Sequence, residues 1–214
     1  MKVLLIAACT LCGRISPAGM GSMLDRQRLE SFRASTDASL IGAGTLRHDD
    51  PEMRGPAGRL DPKRLRAVLT GSGDIPVVGK KLFSHEPPPL VFTATTHAKE
   101  LTARLGCRGR VVGLPAGPAG LSIAAAIAEL ASLGARSVLL EGGGRLNYAA
   151  LKEKVVDELL ITLVPSLSGD TDATSLVAGN GPLGSPFLPL TLVSAEPVST
   201  GEIFLHYRRG DGHG

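Results

Sequence analysis

Short apolar runs alternate with helical patterns along almost the whole chain, and this alternation limits the possible folds more than any other feature. Val3–Cys9 is a branched apolar run suited to a strand buried on both faces. Ile123–Leu133 is an alanine-rich helical pattern closed by Gly134. The other predicted strands are Ser39–Gly44, Leu65–Leu69, Leu90–Thr93, Arg110–Leu114, Ser137–Leu140, Val155–Pro165, Leu190–Ala195 and Ile203–Tyr207, and the other helices are Leu24–Ser35, His97–Leu105 and Arg145–Glu153. We therefore predict an α/β fold with a central, mostly parallel sheet, helices on both faces and a C-terminal antiparallel edge hairpin.

The chain has no repeat of fixed period and no break in composition that would separate two domains. Its 214 residues match the size of one large domain. We predict a single domain over residues 1–209 and a disordered tail over residues 210–214, which read G-D-G-H-G.

Composition excludes several classes of partner. The net charge is only +3 with scattered basic residues, and the chain has no Trp, two Tyr and five Phe, so neither a basic stripe nor stacking platforms for nucleic acid are present. No apolar run approaches the ~20 residues that cross a bilayer. The N-terminal run lacks a convincing cleavage site, and three cysteines fit a reducing compartment. We expect a cytoplasmic protein that binds neither nucleic acid nor membrane.

A C-x-x-C motif, Cys9 and Cys12, closes the first apolar run. A redox C-x-x-C opens a helix, whose N-terminus lowers the pKa of the first thiol, whereas this motif ends a strand. If the strand extends to residue 12, the two sulfur atoms point to opposite faces. The sequence has no second C-x-x-C, and Cys107 lies elsewhere. We predict packing for Cys9 and no metal site.

The stretch V-L-L-E-G-G-G-R-L, Val138–Leu146, joins a buried strand to a helical pattern through Glu141 and three glycines. Glycines at such a junction let backbone N–H groups approach a phosphate, and the helix N-terminus adds partial positive charge. Glu141 would stand at the carboxyl end of its strand, where open α/β sheets bind ligands. The alternative is a tight turn that binds nothing. The stretch lacks the G-x-G-x-x-G dinucleotide pattern.

A second stretch, L-I-G-A-G-T-L-R-H-D-D-P-E-M, runs from Leu40 to Met53. A strand again ends in glycine, and Thr45 is placed to cap the next element of the chain and to bind a phosphate or ribose. Asp49 and Asp50 form a carboxylate pair before Pro51, but no further ligand stands at metal-binding spacing. We expect one of the two carboxylates to bind loop amides.

Together these stretches resemble the reductase domain of bacterial and archaeal riboflavin biosynthesis, which has a dihydrofolate-reductase-like fold. That family carries S-L-D-G after its first strand, then L-R-A, D-A-I-L-V-G-x-G-T-V-x-x-D-D-P-x-L, L-L-V-E-G-G-x-x-L and G-L-V-D-E-L. The counterparts here, in the same order, are T-L-C-G-R at Thr10–Arg14, F-R-A at Phe32–Ala34, D-A-S-L-I-G-A-G-T-L-R-H-D-D-P-E-M at Asp37–Met53, L-L-E-G-G-G-R-L at Leu139–Leu146 and V-V-D-E-L-L at Val155–Leu160.

The resemblance implies an NADPH-dependent reductase, usually a homodimer, that acts on the small molecule 5-amino-6-(5-phosphoribosylamino)uracil. Hydride delivered to ribose C1′ would open the sugar to a ribityl chain. Because the nicotinamide carries the hydride, the protein mainly aligns the two reacting carbons and excludes water. Glu141 is the residue that we expect to handle the accompanying proton.

The resemblance also implies roles for individual residues. Arg33 would bind the substrate phosphate, for which a bidentate guanidinium is suited; without the resemblance, a surface ion pair with Glu30 would be the expected arrangement. The substrate pocket would be lined by Arg33, Met53 and Glu141, with Ser16, Ser22 and Cys12 beside them. The cofactor would be held by Ala8, Thr45, Asp49, Gly71, Ser72, Gly142, Gly143, Gly144, Arg145 and Leu146.

The sequence departs from the family pattern in two places. Cys12 stands where the family usually has Asp, and Thr70–Asp74 reads T-G-S-G-D where the family often has D-S with basic residues nearby. An acidic residue near the adenosine ribose favours NADH, which is the alternative cofactor. The zinc-deaminase signature H-x-E with P-C-x-x-C has no counterpart, which predicts a reductase without a fused deaminase. A dihydrofolate- or pterin-reducing relative and a non-catalytic nucleotide-binding relative are the competing interpretations.

Overall fold

The computed structural model describes residues 1–15, 19–117 and 120–210. Its strands are β1 (Lys2–Thr10), β2 (Ala38–Gly42), β3 (Leu65–Thr70), β4 (Leu90–Ala94), β5 (Arg110–Leu114), β6 (Ala116–Gly117), β7 (Gly120–Leu121), β8 (Ser137–Leu140), β9 (Glu158–Val164), β10 (Leu190–Pro197) and β11 (Ile203–Arg209). Its α-helices are α1 (Met23–Ser35), α2 (Ala43–Asp49), α3 (Thr95–Leu105), α4 (Ile123–Ser132) and α5 (Gly144–Lys152). Three 3₁₀ turns lie at Pro56–Gly58, Lys81–Phe83 and Gly106–Arg108.

Nine strands form one sheet in the order β10-β11-β9-β1-β8-β2-β3-β4-β5. The seven strands from β9 to β5 are mutually parallel, and β11 and β10 continue the sheet as an antiparallel hairpin. The predicted mixed sheet with a C-terminal edge hairpin is confirmed. Strand β8 comes after the edge strand β5 and the small β6-β7 pair in the chain, but it lies between β1 and β2, at the centre of the sheet.

Alternating side chains of the parallel strands fill a core on each face of the sheet. On one face, strand residues such as Leu40 and Phe92 pack with buried residues of α4 and α5. On the other face, Leu29 and Phe32 of α1 lie against a cluster from β1, β8 and β9, while the buried residues of α2 and α3 lie over β2, β3 and β4. The helices therefore cover both faces and leave the carboxyl ends of the parallel strands as a shared rim.

The sequence misplaced one boundary that matters for the site. Ala43 and Gly44, predicted as the end of a strand, begin helix α2 instead, and Gly42 is the residue before that helix. Thr45 therefore lies within the first turn of α2 and does not cap it. The predicted strand from Val155 begins only at Glu158.

Two further expectations concern membrane-spanning segments and the C-terminal tail. Within the described ranges, no helix has both the length and the apolar character needed to traverse a bilayer. Of the tail predicted to be disordered, residues 211–214 lie outside the described residues.

Candidate active site

A notch opens in the rim above the short central strand β8. Strand β8 has four residues and pairs with β1 only as far as Leu5 opposite Leu140, whereas β1 continues along β9 to Thr10. Ala8 lies on this extension of β1, and β2 ends on the far side at Gly42. The notch is thus bounded by β1 and β2, and its floor is the turn that follows β8. Its position at the carboxyl ends of parallel strands is where such sheets bind ligands.

The floor of the notch is built by consecutive glycines with left-handed backbone. Gly142 and Gly143 have φ of 93° and 96°, which L-residues with a Cβ rarely adopt. Among the described residues, no atom lies within 4 Å of where a Cβ on Gly142 would stand. A Cβ on Gly143 would lie 3.1 Å from Oγ1 of Thr45, so the first turn of α2 flanks the glycines. Asp49 follows Thr45 by one helical turn and shares its side of α2.

The third glycine has a packing role. A Cβ on Gly144 would come 2.3 Å from the carbonyl oxygen of Ser175, and the Gly144 carbonyl accepts a hydrogen bond from the Ala178 amide at 2.9 Å. Asn147 reinforces this contact because its Nδ2 donates to the Leu176 carbonyl at 2.8 Å. The segment 174–178 therefore braces helix α5, whose first-turn amides, including that of the exposed Arg145, lack intrahelical partners. Leu146 is buried beneath Gly42.

A buried ion pair lies next to the glycine turn. Arg33, near the end of α1, donates from Nε to both carboxylate oxygens of Glu141 at 3.1 Å and from Nη2 to Oε2 at 2.6 Å. Both side chains are nearly inaccessible, at 3% and 5% exposure. The remaining Arg33 nitrogen, Nη1, donates to the Arg54 carbonyl at 2.8 Å. This pair ties α1, the β8 turn and the loop after α2 to one another.

Two further polar residues extend the ion pair into a network. The Ser39 hydroxyl donates to Glu141, and Arg64 Nη2 donates to the Ser39 oxygen at 2.7 Å. Burial lowers the pKa of Arg64 to about 10. Burial would raise the pKa of Glu141, but the charge of Arg33, the hydrogen bonds from Arg33 and Ser39 and the charge of Arg64 outweigh it, so the pKa is lowered. Glu141 is therefore an ionised acceptor held between two cations.

This environment bears on the roles expected for Glu141 and Arg33. With its pKa lowered, Glu141 is poorly suited to donate a proton at neutral pH, and its proton-handling role stays a prediction that these contacts do not favour. A substrate phosphate could bind Arg33 only in competition with Glu141 or the Arg54 carbonyl. The alternative surface pair of Arg33 with Glu30 is wrong, because Glu30 pairs with Arg26 at 2.6 Å.

The D-D-P-E-M segment bends sharply after α2. Asp50 has φ of 45° and its Oδ1 accepts the Lys81 amide at 3.0 Å, as expected for a carboxylate that binds a loop amide. Met53 has φ of 58° and is only 1% exposed, packed in the same cluster as Ile41. Met53 therefore cannot line an open pocket in this arrangement, and its place in the substrate pocket stays a prediction that these contacts do not favour.

A small depression of about 130 Å³ lies at the carboxyl end of β3, two strands away from β8. We call it the β3 pocket. Of the predicted cofactor-binding residues Gly71 and Ser72, the second lines this pocket and the first directly precedes it. The lining residues are Ser72, Gly73, Asp74, His97, Glu100, Leu101 and Arg104. Arg104 donates to the Gly73 carbonyl, and Arg47 of α2 lies 3.7 Å from the Asp74 carboxylate. Asp74 is thus accompanied by the Arg47 guanidinium, and Arg104 lines the same pocket; the acidic character of T-G-S-G-D predicted neither.

Two buried hydroxyl groups stand beside the β3 pocket. Thr70 and Thr93 are cross-strand neighbours, and their Oγ1 atoms have no hydrogen-bond partner within the described residues. A Cβ on Gly73 would lie 3.7 Å from Thr93 Oγ1. Buried hydroxyls are usually paired, so these two oxygens depart from that rule, but they are enclosed and do not line the pocket.

Cys12 and Ser22 occupy different surroundings from each other. Strand β1 ends at Thr10, so Cys12 lies in an exposed turn, where its Sγ is 3.2 Å from Thr10 Oγ1 and accepts the Ser168 amide at 3.2 Å. The Thr10 contact, together with the Ser168 amide, lowers the pKa of Cys12.

Ser22 is the N-cap of α1 and also donates to Glu202 at 2.5 Å, so its hydroxyl is fully engaged. Ser16 lies outside the described residues.

Ser39 and Arg64 are members of the buried network that the sequence did not reveal. Ser39 lies inside an apolar strand, at a position of the Asp37–Met53 stretch that was not singled out, and Arg64 precedes a strand outside any motif. A buried strand position occupied by serine is the only local signal, because such a hydroxyl needs a partner.

Known proteins are similar to this chain over most of its length. The family model described as RibD C-terminal domain matches residues 1–204. A 2,5-diamino-6-ribosylamino-4(3H)-pyrimidinone 5′-phosphate reductase from Methanothermobacter thermautotrophicus is 30% identical over 84% of this chain and 84% of its own. The riboflavin biosynthesis protein RibD of Chlamydia pneumoniae is 31% identical over 80% of this chain but only 46% of its own length.

Solved structures agree on the fold. A pyrimidine reductase-like protein from Corynebacterium diphtheriae has a TM-score of 0.77 at 22% identity, covering 97% of this chain and 91% of its own. A diaminohydroxyphosphoribosylaminopyrimidine deaminase/5-amino-6-(5-phosphoribosylamino)uracil reductase from Thermotoga maritima has a TM-score of 0.77 at 21% identity, covering 98% of this chain and 56% of its own. The predicted dihydrofolate-reductase-like fold is confirmed.

Proposed function

The chain belongs to the RibD C-terminal domain family, and from this premise we propose that it reduces a ribosylaminopyrimidine 5′-phosphate in riboflavin biosynthesis. The proposed reaction delivers hydride to ribose C1′ and opens the ring to a ribityl chain. The substrate is the 2,5-diamino-pyrimidinone named for the archaeal relative or the 5-amino-uracil named for the Thermotoga maritima protein. Both carry the same ribosyl phosphate, and they differ by one deamination. We place the reaction in the cytoplasm and in one domain over residues 1–209.

The observation that carries this proposal is the juxtaposition of the glycine turn with the buried Arg33–Glu141 pair at the notch. A family motif could be retained for packing alone. Here, however, Gly142 leaves open backbone at the carboxyl edge of the sheet, and Glu141 of the buried ion pair is the residue directly before it. This combination supports a ligand site with a dinucleotide above the turn and a substrate beside it.

The residues present fit a nicotinamide dinucleotide. Gly142 leaves space where a side chain would begin, and the nine-residue helix α5 starts immediately after the turn. Backbone amides and the helix N-terminus favour a diphosphate there, and Thr45 is within reach of the same turn. When bound, the nicotinamide supplies the hydride.

We propose NADPH as the cofactor in preference to NADH. The β3 pocket lies at the neighbouring rim, where Arg47 is 3.7 Å from the Asp74 carboxylate and Arg104 lines the pocket. A guanidinium group there would bind a 2′-phosphate in the bidentate way that such groups favour.

In the proposed mechanism the chain positions its ligands and keeps one charge fixed. The Arg33–Glu141 pair holds the end of α1 against the β8 turn, so the notch keeps its shape when a substrate enters. Glu141 stays ionised because its pKa is lowered, so it holds the Arg33 guanidinium in place beside the glycine turn. The proton that the ring oxygen gains on opening comes from solvent or from a substrate-side group rather than from Glu141.

The test is a turnover assay that follows loss of reduced-nicotinamide absorbance with each of the two pyrimidine substrates. We expect turnover of at least one, and the ratio of kcat/KM values identifies which. Turnover of dihydrofolate with neither pyrimidine, or calorimetric cofactor binding without any turnover, would overturn the proposal.

The cofactor preference is tested separately with Arg104→Gln. We expect KM for NADPH to rise about tenfold or more, as for loss of a charge-assisted phosphate contact, while KM for NADH changes little. The matched control is Arg108→Gln, which removes an arginine that is near in sequence but does not line the β3 pocket. Equal effects on both cofactors would contradict the assignment of the 2′-phosphate to this pocket.

A further inference from the structure

The Glu141 carboxylate is held from two sides. Arg33, on α1, donates to both of its oxygens, at 3.1 Å from Nε and at 2.6 Å from Nη2. The Ser39 hydroxyl, on β2, donates to Oε1. Because the Ser39 contact comes from a different element of the fold, it gives the carboxylate a second, independent point of attachment.

Arg64 sets the direction of the hydrogen bond from Ser39. A serine hydroxyl has a single hydrogen to donate, and its oxygen can also accept. Arg64 Nη2 donates to the Ser39 oxygen at 2.7 Å, and a guanidinium group cannot accept in return. The Ser39 hydrogen is therefore left for Glu141, whose ionised oxygens can only accept. Without Arg64, the hydroxyl would be free to turn toward another acceptor.

Arg64 is itself fixed in place. It is 6% exposed, Nη1 donates to the Thr36 carbonyl, and Nη2 also donates to the Ala38 carbonyl at 3.1 Å. The ion pairs found among the described residues include none with Arg64. Burial lowers the pKa of Arg64, and the charge of Glu141 is the strongest influence in the opposite direction. Ser39 thus links a buried cation to a buried anion that makes no direct ion pair with it.

Position 39 is a place where this chain departs from the family pattern by a polar residue. The pattern reads D-A-I-L-V-G, whereas Asp37–Gly42 reads D-A-S-L-I-G. An isoleucine could neither donate to Glu141 nor accept from Arg64. The family pattern therefore does not supply the chain of hydrogen bonds from Arg64 through Ser39 to Glu141.

We propose that Arg64 is a positioning residue of the reductase site, which acts through the Ser39 hydroxyl to hold the Glu141 carboxylate in one arrangement. Glu141 in turn holds Arg33, so a displacement of the carboxylate would be passed on to that guanidinium group. Neither Arg64 nor Ser39 needs to touch a ligand. The inference rests on the proposed function, because the substrate is expected beside Arg33 and Glu141.

The first test is steady-state kinetics of Ser39→Ala with the pyrimidine substrate that the natural chain reduces. We expect KM for that substrate to rise about tenfold, as for the loss of one hydrogen bond to a charged group, while KM for the nicotinamide cofactor stays nearly unchanged. Ser137→Ala is the matched control, because Ser137 lies on the neighbouring strand β8 and its hydroxyl donates to a different carboxylate, that of Asp37, at 2.9 Å. Equal effects of the two variants, or equal rises in both KM values, would contradict the proposal.

The second test needs no substrate. Carbon-13 NMR titration of the Glu141 carboxyl group, assigned by comparison with Glu141→Gln, follows its charge in the folded chain. The groups that face this carboxyl are Arg33 on α1, Ser39 on β2 and Arg64 before β3. We expect the midpoint to rise by about one pH unit or more in Ser39→Ala, because one donor to the charged form is lost. Ser137→Ala should leave the midpoint where it is.

Arg64→Met separates an action through Ser39 from an action through charge alone. We expect it to raise the midpoint in the natural chain and to raise it less when Ser39 is already alanine, since the link is then absent. Equal shifts in both backgrounds, with far-ultraviolet circular dichroism unchanged, would overturn the role of the hydroxyl. If Arg64→Met does not fold, Ser39→Ala decides alone. Turnover of neither pyrimidine would overturn the proposed function and this role with it, whereas an active enzyme whose midpoint is unchanged in Ser39→Ala would overturn this inference only.

Discussion

Replacing Glu141 with glutamine measures what the buried ion pair contributes to the fold. The change keeps the shape of the side chain but leaves Arg33 and Arg64 buried without a carboxylate between them. Removing one partner of a buried pair costs about 3–5 kcal/mol. Because the glutamine oxygen can still accept one hydrogen bond, we expect a loss of about 3 kcal/mol in the free energy of unfolding. With a urea m-value of about 3 kcal/mol per molar, the midpoint would fall by about 1 M.

The same variant predicts a specific dependence on pH. The pKa of Glu141 is lowered in the folded state from an ordinary value of 4.5. Its contribution to stability is therefore complete above that value and is lost as pH falls through the lowered folded pKa. We expect the difference in unfolding free energy between the natural chain and Glu141→Gln to be full at neutral pH and to shrink below about pH 4.5.

Urea denaturation followed by far-ultraviolet circular dichroism measures both effects. Glu30→Gln is the control, because the Glu30–Arg26 pair lies on the surface of α1 and is worth only about 0.3–0.5 kcal/mol. A loss for Glu141→Gln no greater than that of the control would refute the reasoning. So would a difference that stays constant down to about pH 3, since it would show that the charge of Glu141 contributes nothing.

Three other changes, the last with Gly44→Ala as its control, test separate parts of the site. Ser22→Ala removes the cap of α1 and one donor to Glu202, so we expect a loss of about 1–2 kcal/mol in urea denaturation, and no loss would mean that the cap is dispensable. Cys12→Asp should preserve or raise reductase activity, and complete inactivity of a folded variant would contradict its alignment with the family aspartate. Gly143→Ala should destabilise by about 1 kcal/mol or more and weaken cofactor binding in calorimetry, because of its positive φ. Gly44→Ala, with open space at its Cβ and a helical position, should do neither.

The fold was largely predictable because local signals agree with the final sheet. Strand β8 was predicted with its true ends, since an apolar run there stops at a charged residue followed by glycines. Helix α2 was missed because a seven-residue helix with glycine in its first turn resembles a loop. The late start of β9 has no local signal either. The chain turns at Lys154, which has φ of 58°, and the Asp157 carboxylate accepts the distant Val3 amide at 2.8 Å.

The candidate site was predictable in position but not in its contacts. Arg33 and Glu141 were both recognised, yet they are 108 residues apart in the chain, and nothing in the sequence indicates that they bind each other. Met53 was assigned to a pocket because of its place in a motif, whereas its positive φ directs the side chain into the core. Whether a recognised residue faces a ligand or a neighbour depends on tertiary packing, which a motif does not encode.

The central position of β8 also has a consequence for how the chain emerges from the ribosome. The first strand, β1, finds its two neighbours only in residues 137–140 and 158–164. During synthesis, the apolar segment Val3–Cys9 therefore has no native neighbour until residues 137–140 have been made, and its second neighbour follows with residues 158–164. Such late, distant pairing slows folding and leaves an aggregation-prone segment open to chaperones. We expect nascent chains that end before residue 137 to remain unfolded, because they lack the central strand β8 that joins β1 to β2.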